Sequence, residues 1–277
     1  MDIFEEIVRL RQQGRKGALA TIVHTRGSIP SFQASKMLVR DDGSIVGTVG
    51  GGCVEAEVWA AAKEVMEEEK PRKLTFNLNA DPRYDVGLTC GGTLEVFVEP
   101  ILARPVCYIF GAGHVGHFVS KIATLAGFAT VIVDDRAQFA NRERFPEAAE
   151  VHTGDFEKVC QQLDPTEFSY LVITTRDHKD DMRVLRWAVG TRARYVGLIG
   201  SRRKVLEIYK ALEEEGAPRE RLERVHAPIG LELGALTPEE IAVSIVAEMI
   251  AVRRHAPLPN PKAVGRAVQE HAVESDS

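Results

Sequence analysis

The rhythm of apolar and polar positions changes near residue 105. Before it, residues 2–13 repeat at helical spacing. Residues 18–24 (ALATIVH), 36–40 (KMLVR), 44–49 (SIVGTV) and 73–78 are short, β-branched runs that predict strands. Asp41-Asp42-Gly43 supplies a hairpin turn between the second and third. A helix is predicted over 54–69, and 93–99 (TLEVFVE) alternates as a half-buried strand does. Strands, helix and strands again make an α+β unit. Pro100 to Pro105 reads as a boundary. Beyond it, strands predicted at 106–110, 129–134, 170–174 and 195–199 alternate with helices at 114–126, 179–189 and 202–215. That alternation predicts a parallel, doubly wound sheet. Thr237-Pro238-Glu239-Glu240 starts one more helix, to about 254, with Thr as N-cap and Pro at the first helical position. The fold class is α/β, with a smaller N-terminal α+β domain at 1–100, the parallel sheet at 105–254, and a disordered tail at 256–277.

Composition narrows the function more than the fold. The 277 residues suit about two domains, and a net charge of −5 points to neither nucleic acid nor an anionic membrane. No apolar run is long enough to span a bilayer, and the first residues lack the basic start and apolar core of a signal peptide. Four cysteines without CxxC spacing fit neither a disulfide framework nor a structural zinc site, so a reducing cytoplasm is the expected location.

Two of those cysteines sit beside adjacent glycines. Gly51 and Gly52 precede Cys53 in GTVGGGCVE (47–55), and Cys90 precedes two glycines in GLTCGG (87–92). Glycine lets the backbone take φ > 0 and approach a ligand closely. The apolar, Ala-rich run after Cys53 predicts a helix, which puts the thiol at a helix N-terminus, where amides and dipole favour an anion such as thiolate. Such loops suit sulfur or a soft metal. The competing reading is two tight turns with small buried cysteines.

In the second half, Gly111-Ala112-Gly113-His114-Val115-Gly116 fits GxGxxG. It follows a predicted strand, opens a predicted helix, and has Asp134 at the next strand's end, near the spacing of a ribose-binding acid. This predicts a Rossmann-like unit with Gly111, Gly113, His114, Gly116 and Asp134 as candidate ligand contacts. Gly200, Ser201 and Arg202, followed by Arg203 and Lys204, form a second strand-to-helix turn suited to an anion, with the three cations expected to face one point. Asp177, His178 and Asp181 follow the third strand of the parallel sheet, so they are expected at the same sheet edge as the glycine loop. A capped helix with a solvated histidine is the plainer alternative there. The loop 226–230 (HAPIG) reads as rigid, and a buried, satisfied histidine is the plainer alternative to a functional one there.

As a set these motifs resemble the XdhC/CoxI family of xanthine dehydrogenase accessory proteins. The residues that carry the resemblance are GSIP at 27–30, KMLV at 36–39, GTVGGGCVE at 47–55, CGG at 90–92, FGAGHVG at 110–116, VDDR at 133–136, Asp177-His178 with Asp181, YVGLIGSRRK at 195–204 and HAPIGLELGALTPEEIAVSIVAEM at 226–249. Ser31 stands where family members often carry an arginine. The resemblance implies a chaperone without turnover. It would bind molybdenum cofactor (molybdopterin or its dinucleotide form), protect it while a terminal sulfur is installed, and deliver it to a molybdenum hydroxylase of xanthine or carbon monoxide dehydrogenase type. Cys53, with Cys90 opposite, would meet the molybdenum–sulfur end. Phosphate would sit on the amides of 111–116 or 200–203. A cysteine desulfurase and a second copy of the chain are further candidate partners. The rival reading is an NAD-dependent oxidoreductase, with Asp134 on the ribose and His178 or His114 carrying a proton; a third is an interaction module with a vestigial Rossmann site.

Overall fold

The computed structural model describes residues 2–28, 33–78 and 91–258. The chain divides into two compact units, Met1–Arg104 and Pro105–Ser277.

The first unit is a five-stranded sheet of order β3-β2-β1-β5-β4, antiparallel throughout. Its strands are β1 (Gly17–Ser28), β2 (Lys36–Arg40), β3 (Ile45–Gly47), β4 (Arg72–Asn77) and β5 (Gly91–Ile101); its helices are α1 (Ile3–Gln12) and α2 (Gly52–Glu68). Side-chain alternation in β1 explains the two faces. Ala18, Ala20 and Ile22 pack with Val54, Val58, Ala62 and Val65 of α2, while Leu19 turns to Leu10 of α1 and Leu38 of β2. Strands β1 and β5 pair from Gly17 with Ile101 to Ser28 with Gly91, with Val23 left over at an irregularity between Ile22 and His24.

This pairing changes the reading of the second glycine motif. Gly91 and Gly92 belong to β5, which begins two residues before the expected start at 93. A Cβ on Gly92 would lie 2.1 Å from the Arg26 carbonyl oxygen, so this glycine is required by the approach of two backbones. Cys90 and most of the 87–92 loop lie outside the described residues, as does 259–277 of the expected tail.

The second unit is a parallel sheet of order β10-β9-β6-β7-β8. Its strands are β6 (Val106–Phe110), β7 (Ala129–Asp134), β8 (Glu150–Thr153), β9 (Ser169–Ile173) and β10 (Tyr195–Leu198). Strand order reverses at β6, as in a Rossmann fold. The helices are α3 (His114–Leu125), α4 (Phe156–Cys160), α5 (His178–Ala188), α6 (Arg202–Glu214), α7 (Arg219–Leu222) and α8 (Pro238–Arg253). Leu171 and Ile173 face the core built with α4, α5, α6 and α7; Tyr170 and Val172 face the one built with α3 and α8. Helix α8 has the predicted capping box between Thr237 and Glu240. Among the described residues no helix is long and apolar enough to cross a membrane.

Candidate functional site

The helices divide by how their N-termini are satisfied. Asp2, Asp155, Asp177, Ser201 and Thr237 each cap their own helix, accepting a hydrogen bond from a first-turn amide. Helices α2 and α3 have glycine at the N-cap, Gly51 and Gly113, and no side-chain cap. The four-residue α7 also lacks one. A helix N-terminus carries amides with no intrahelical acceptor and a partial positive charge. The two long helices left open in this way are the two that follow the glycine motifs.

At α2 the loop is built by its own motif. Gly50, Gly51 and Gly52 have φ of 119°, 79° and 64°, which L-residues rarely adopt. The Glu55 carboxylate reaches back and accepts from the Thr48 hydroxyl and from the Val49 amide at 3.2 Å; the Gly50 amide donates to Thr48 Oγ1 at 3.1 Å. Thr48 and Glu55 thus hold the loop that presents Cys53, a role a reading centred on Cys and Gly misses. Cys53 is exposed at the second position of α2. Cys107 and Cys160 are buried, and burial pushes the Cys160 thiol up to about 12 and Cys107 higher. Cys53 is therefore the accessible thiol among the described residues.

At α3 the glycines have distinct roles. Gly111 has φ of 112°, and a Cβ there would lie 2.2 Å from the Thr174 carbonyl oxygen. A Cβ on Gly116 would lie 2.0 Å from the Gly111 carbonyl oxygen. Gly113 has an ordinary φ of −70° and nothing within 4 Å of a built Cβ. The fold therefore demands the first and third glycines, whereas the second only keeps space above the loop open. His114 is exposed at the first helical position.

Asp134 is tied to this loop. Its carboxylate accepts from the Ala112 amide at 2.8 Å, from the Arg136 amide at 3.0 Å, and from the Arg136 guanidinium at 2.9 and 3.0 Å. Burial alone would raise its pKa; the Arg136 and backbone bonds outweigh it and lower it. Both oxygens are occupied by the protein itself. Asp135, exposed beside it, pairs with Arg176 at 2.7 Å.

The other candidates are arranged less as expected. Asp177 caps α5 through the Asp180 amide at 3.0 Å, and His178 is exposed at the first position of that helix. Asp181 is buried and accepts from the Thr175 hydroxyl at 2.7 Å and from Lys204 Nζ. Burial pushes the Asp181 carboxyl upward, against the pull of Lys204 and Thr175. Lys204 is thereby drawn inward, Arg203 pairs along α6 with Glu207 at 3.0 Å, and Arg202 lies 3.4 Å from Glu232. The three cations after Gly200 and Ser201 do not face one point, contrary to expectation, because each has its own carboxylate. Ser201 Oγ accepts from the Lys204 amide at 3.3 Å, so this turn is already capped.

The loop 226–230 is fastened from behind. Glu248 of α8 accepts from the Tyr195 hydroxyl at 2.6 Å and the Gly230 amide at 2.9 Å, and His226 Nδ1 lies 3.4 Å from its other oxygen. Burial would raise the Glu248 carboxyl, but His226 and Tyr195 hold it down to about 2. A carboxylate lowered from an ordinary 4.5 stabilises the fold above that pH, and the contribution is lost as pH falls through about 2. We expect Glu248→Gln to cost about 2–4 kcal/mol at neutral pH, since it breaks a buried network. The gap to the unaltered protein should close as pH falls from 4.5 towards 2. Urea midpoints measured across that range check it; a constant gap would show that charge on Glu248 is irrelevant.

The fold and its glycine loop define the second unit as a Rossmann domain joined to an α+β unit that presents a thiol. Family comparison agrees: the family described as "XdhC Rossmann domain" matches residues 107–249, and that described as "XdhC and CoxI family" matches 10–77. The chain belongs to the XdhC and CoxI family. It is 37% identical to "Uncharacterized protein YqeB" of Escherichia coli (strain K12), over 93% of this chain and 47% of that one, so it spans about half that relative's length. It is 24% identical to "Molybdenum cofactor insertion chaperone PaoD" of Escherichia coli (strain K12), over 90% and 87% of the two chains. It is 21% identical to a Bacillus subtilis (strain 168) protein named as a probable xanthine dehydrogenase subunit, over 88% and 96%. A crystal structure described as a xanthine dehydrogenase from Bacillus halodurans shares the fold at 22% identity, with a TM-score of 0.51 over 95% of this chain and 98% of that one.

Proposed function

We propose that this protein is an accessory chaperone that carries molybdenum cofactor as cargo and hands it to a molybdenum hydroxylase. The observation that carries the reading is the pair of open helix N-termini at the two glycine motifs, one beside an exposed thiol, in a chain whose family includes a relative named as a molybdenum cofactor insertion chaperone. Among the described residues no cluster of three or more His, Cys, Asp or Glu side chains is placed to hold a metal ion. A cargo whose metal arrives already chelated needs no such cluster, only one soft donor, and Cys53 supplies it. The first-turn amides of α3, with Gly113 leaving room above them, suit the phosphate of the pterin or of its nucleotide extension. Protection while a terminal sulfur is installed, by a cysteine desulfurase, and delivery to a xanthine or carbon monoxide dehydrogenase client belong to the same proposal. So does the use of a second copy of the chain.

The oxidoreductase reading has less support. Asp134 stands where a ribose acid would, but both its oxygens already accept from Arg136 and the loop. His114 and His178 are solvated at helix starts. The test is the ligand content of purified protein, read as pterin fluorescence after oxidation and as nicotinamide absorbance. Pterin without nicotinamide is the expected result. Nicotinamide without pterin would replace the chaperone by the dehydrogenase, and neither, even after incubation with cofactor, would leave an interaction module.

A further inference from the structure

The second unit has a cavity at the sheet edge opposite the glycine loop. Its volume is about 320 Å³, within the range of small-molecule sites. It is lined where α5 ends (Ala188, Val189, Thr191), where the chain enters β10, and along α7 and the residues after it. Because the sheet is parallel, the N-terminal ends of its strands lie away from the edge that carries residues 111–116.

Its lining includes the apolar Val189, Ala193, Val196 and Val225 and the cationic Arg192, Arg194, Arg221 and Arg224. Arg194 is anchored, donating to the Glu167 carbonyl at 3.0 Å with its guanidinium 5.4 Å from the Phe168 ring. Arg192, Arg221 and Arg224 are exposed, and among the described residues none has a carboxylate partner. Neighbouring arginines on α5 and α7 do: Arg186 with Glu215 and Arg219 with Glu223. In a chain with 40 acidic and 35 basic residues, unpaired guanidiniums gathered at one concavity need a reason. The negative end of α5 accounts for one cation at its C-terminus, not for three.

We propose that this cavity binds a small phosphorylated molecule with an apolar body, at a site separate from the glycine loop. Guanidinium forks match phosphate oxygens two at a time, and the three valines of the lining take the uncharged part. The probe is phenyl phosphate, titrated calorimetrically into the full-length chain. Arg221→Ala/Arg224→Ala should weaken binding at least about tenfold, the loss of one or more charge-assisted hydrogen bonds. Gly113→Asp, which places a carboxylate above the glycine loop, should leave it unchanged. Arg221→Lys/Arg224→Lys should recover only part of the affinity, since it keeps the charge and removes the fork. These arginines are exposed, so an unchanged thermal midpoint will show that the variants fold. Four results would overturn the proposal: no binding to the unaltered protein, equal binding by the alanine pair, loss only in Gly113→Asp, or equal affinity for benzoate, which would remove the need for a phosphate. None bears on cofactor carriage, which the pterin assay reads separately.

Discussion

If the protein carries molybdenum cofactor to a hydroxylase as proposed, Cys53→Ala is expected to yield a folded protein that activates such a client only at background level. The side chain is exposed and packs into no core, so its loss should change stability by no more than about 1 kcal/mol. The loop that presents it is held by Thr48 and Glu55, neither of which the substitution touches. What disappears is the accessible thiol, the soft donor that separates this site from an ordinary anion-binding helix start. Cys53→Ser sharpens the test, because oxygen keeps the size and polarity and loses the softness. Both variants should fail in a reconstitution in which cofactor-free client is mixed with cofactor-loaded accessory protein. Wild-type activation by either one would make Cys53 a structural residue and move the molybdenum end of the cargo elsewhere.

The glycine loop should split into two phenotypes. Gly116→Ala forces a methyl group to 2.0 Å from the Gly111 carbonyl oxygen, where backbone faces backbone and neither side can yield cheaply. A loss of about 3 kcal/mol or more is expected, from overpacking and strain together. Gly113→Ala meets nothing within 4 Å and has an unstrained φ, so stability should stay within about 1 kcal/mol. Its methyl group would stand where the proposed phosphate would approach the α3 amides. Calorimetric titration with CMP is therefore expected to show at least a tenfold loss, roughly the value of one charged hydrogen bond. If Gly113→Ala bound the same nucleotide as tightly as the unaltered protein, the open N-terminus of α3 would not be the phosphate site.

Much of the architecture was legible because burial is two-sided. Strands β6 and β7 are hidden by helices on both faces, so they read as unbroken apolar runs with clear ends. Strand β8 and helix α4 were not expected. One is a four-residue edge strand with mixed exposure and the other a five-residue helix, both too short to show a period. The site was half legible. Glycine positions, the exposed thiol and the strand-end acid follow from residue type and spacing. The direction of a long side chain does not: Lys204 turns inward to Asp181 while Arg203 runs outward along the helix. Spacing also cannot reveal that Arg136 covers Asp134, or that α2 and α3 lack the caps their neighbours have.

The Glu248 network has a consequence for the order in which the chain is made. The acceptor for the Tyr195 hydroxyl and the Gly230 amide comes from α8, the last described helix, 53 and 18 residues downstream of the groups it serves. On a ribosome, β10 and the loop 226–230 leave the exit tunnel before their partner does. Until α8 arrives, one face of the sheet also lacks Ala242, Ile245, Val246 and Met249. A nascent chain stalled before residue 238 would thus present an open apolar face and a loop with no fastening. The Rossmann unit would close in a single late step, and factors that guard emerging chains would act in that interval.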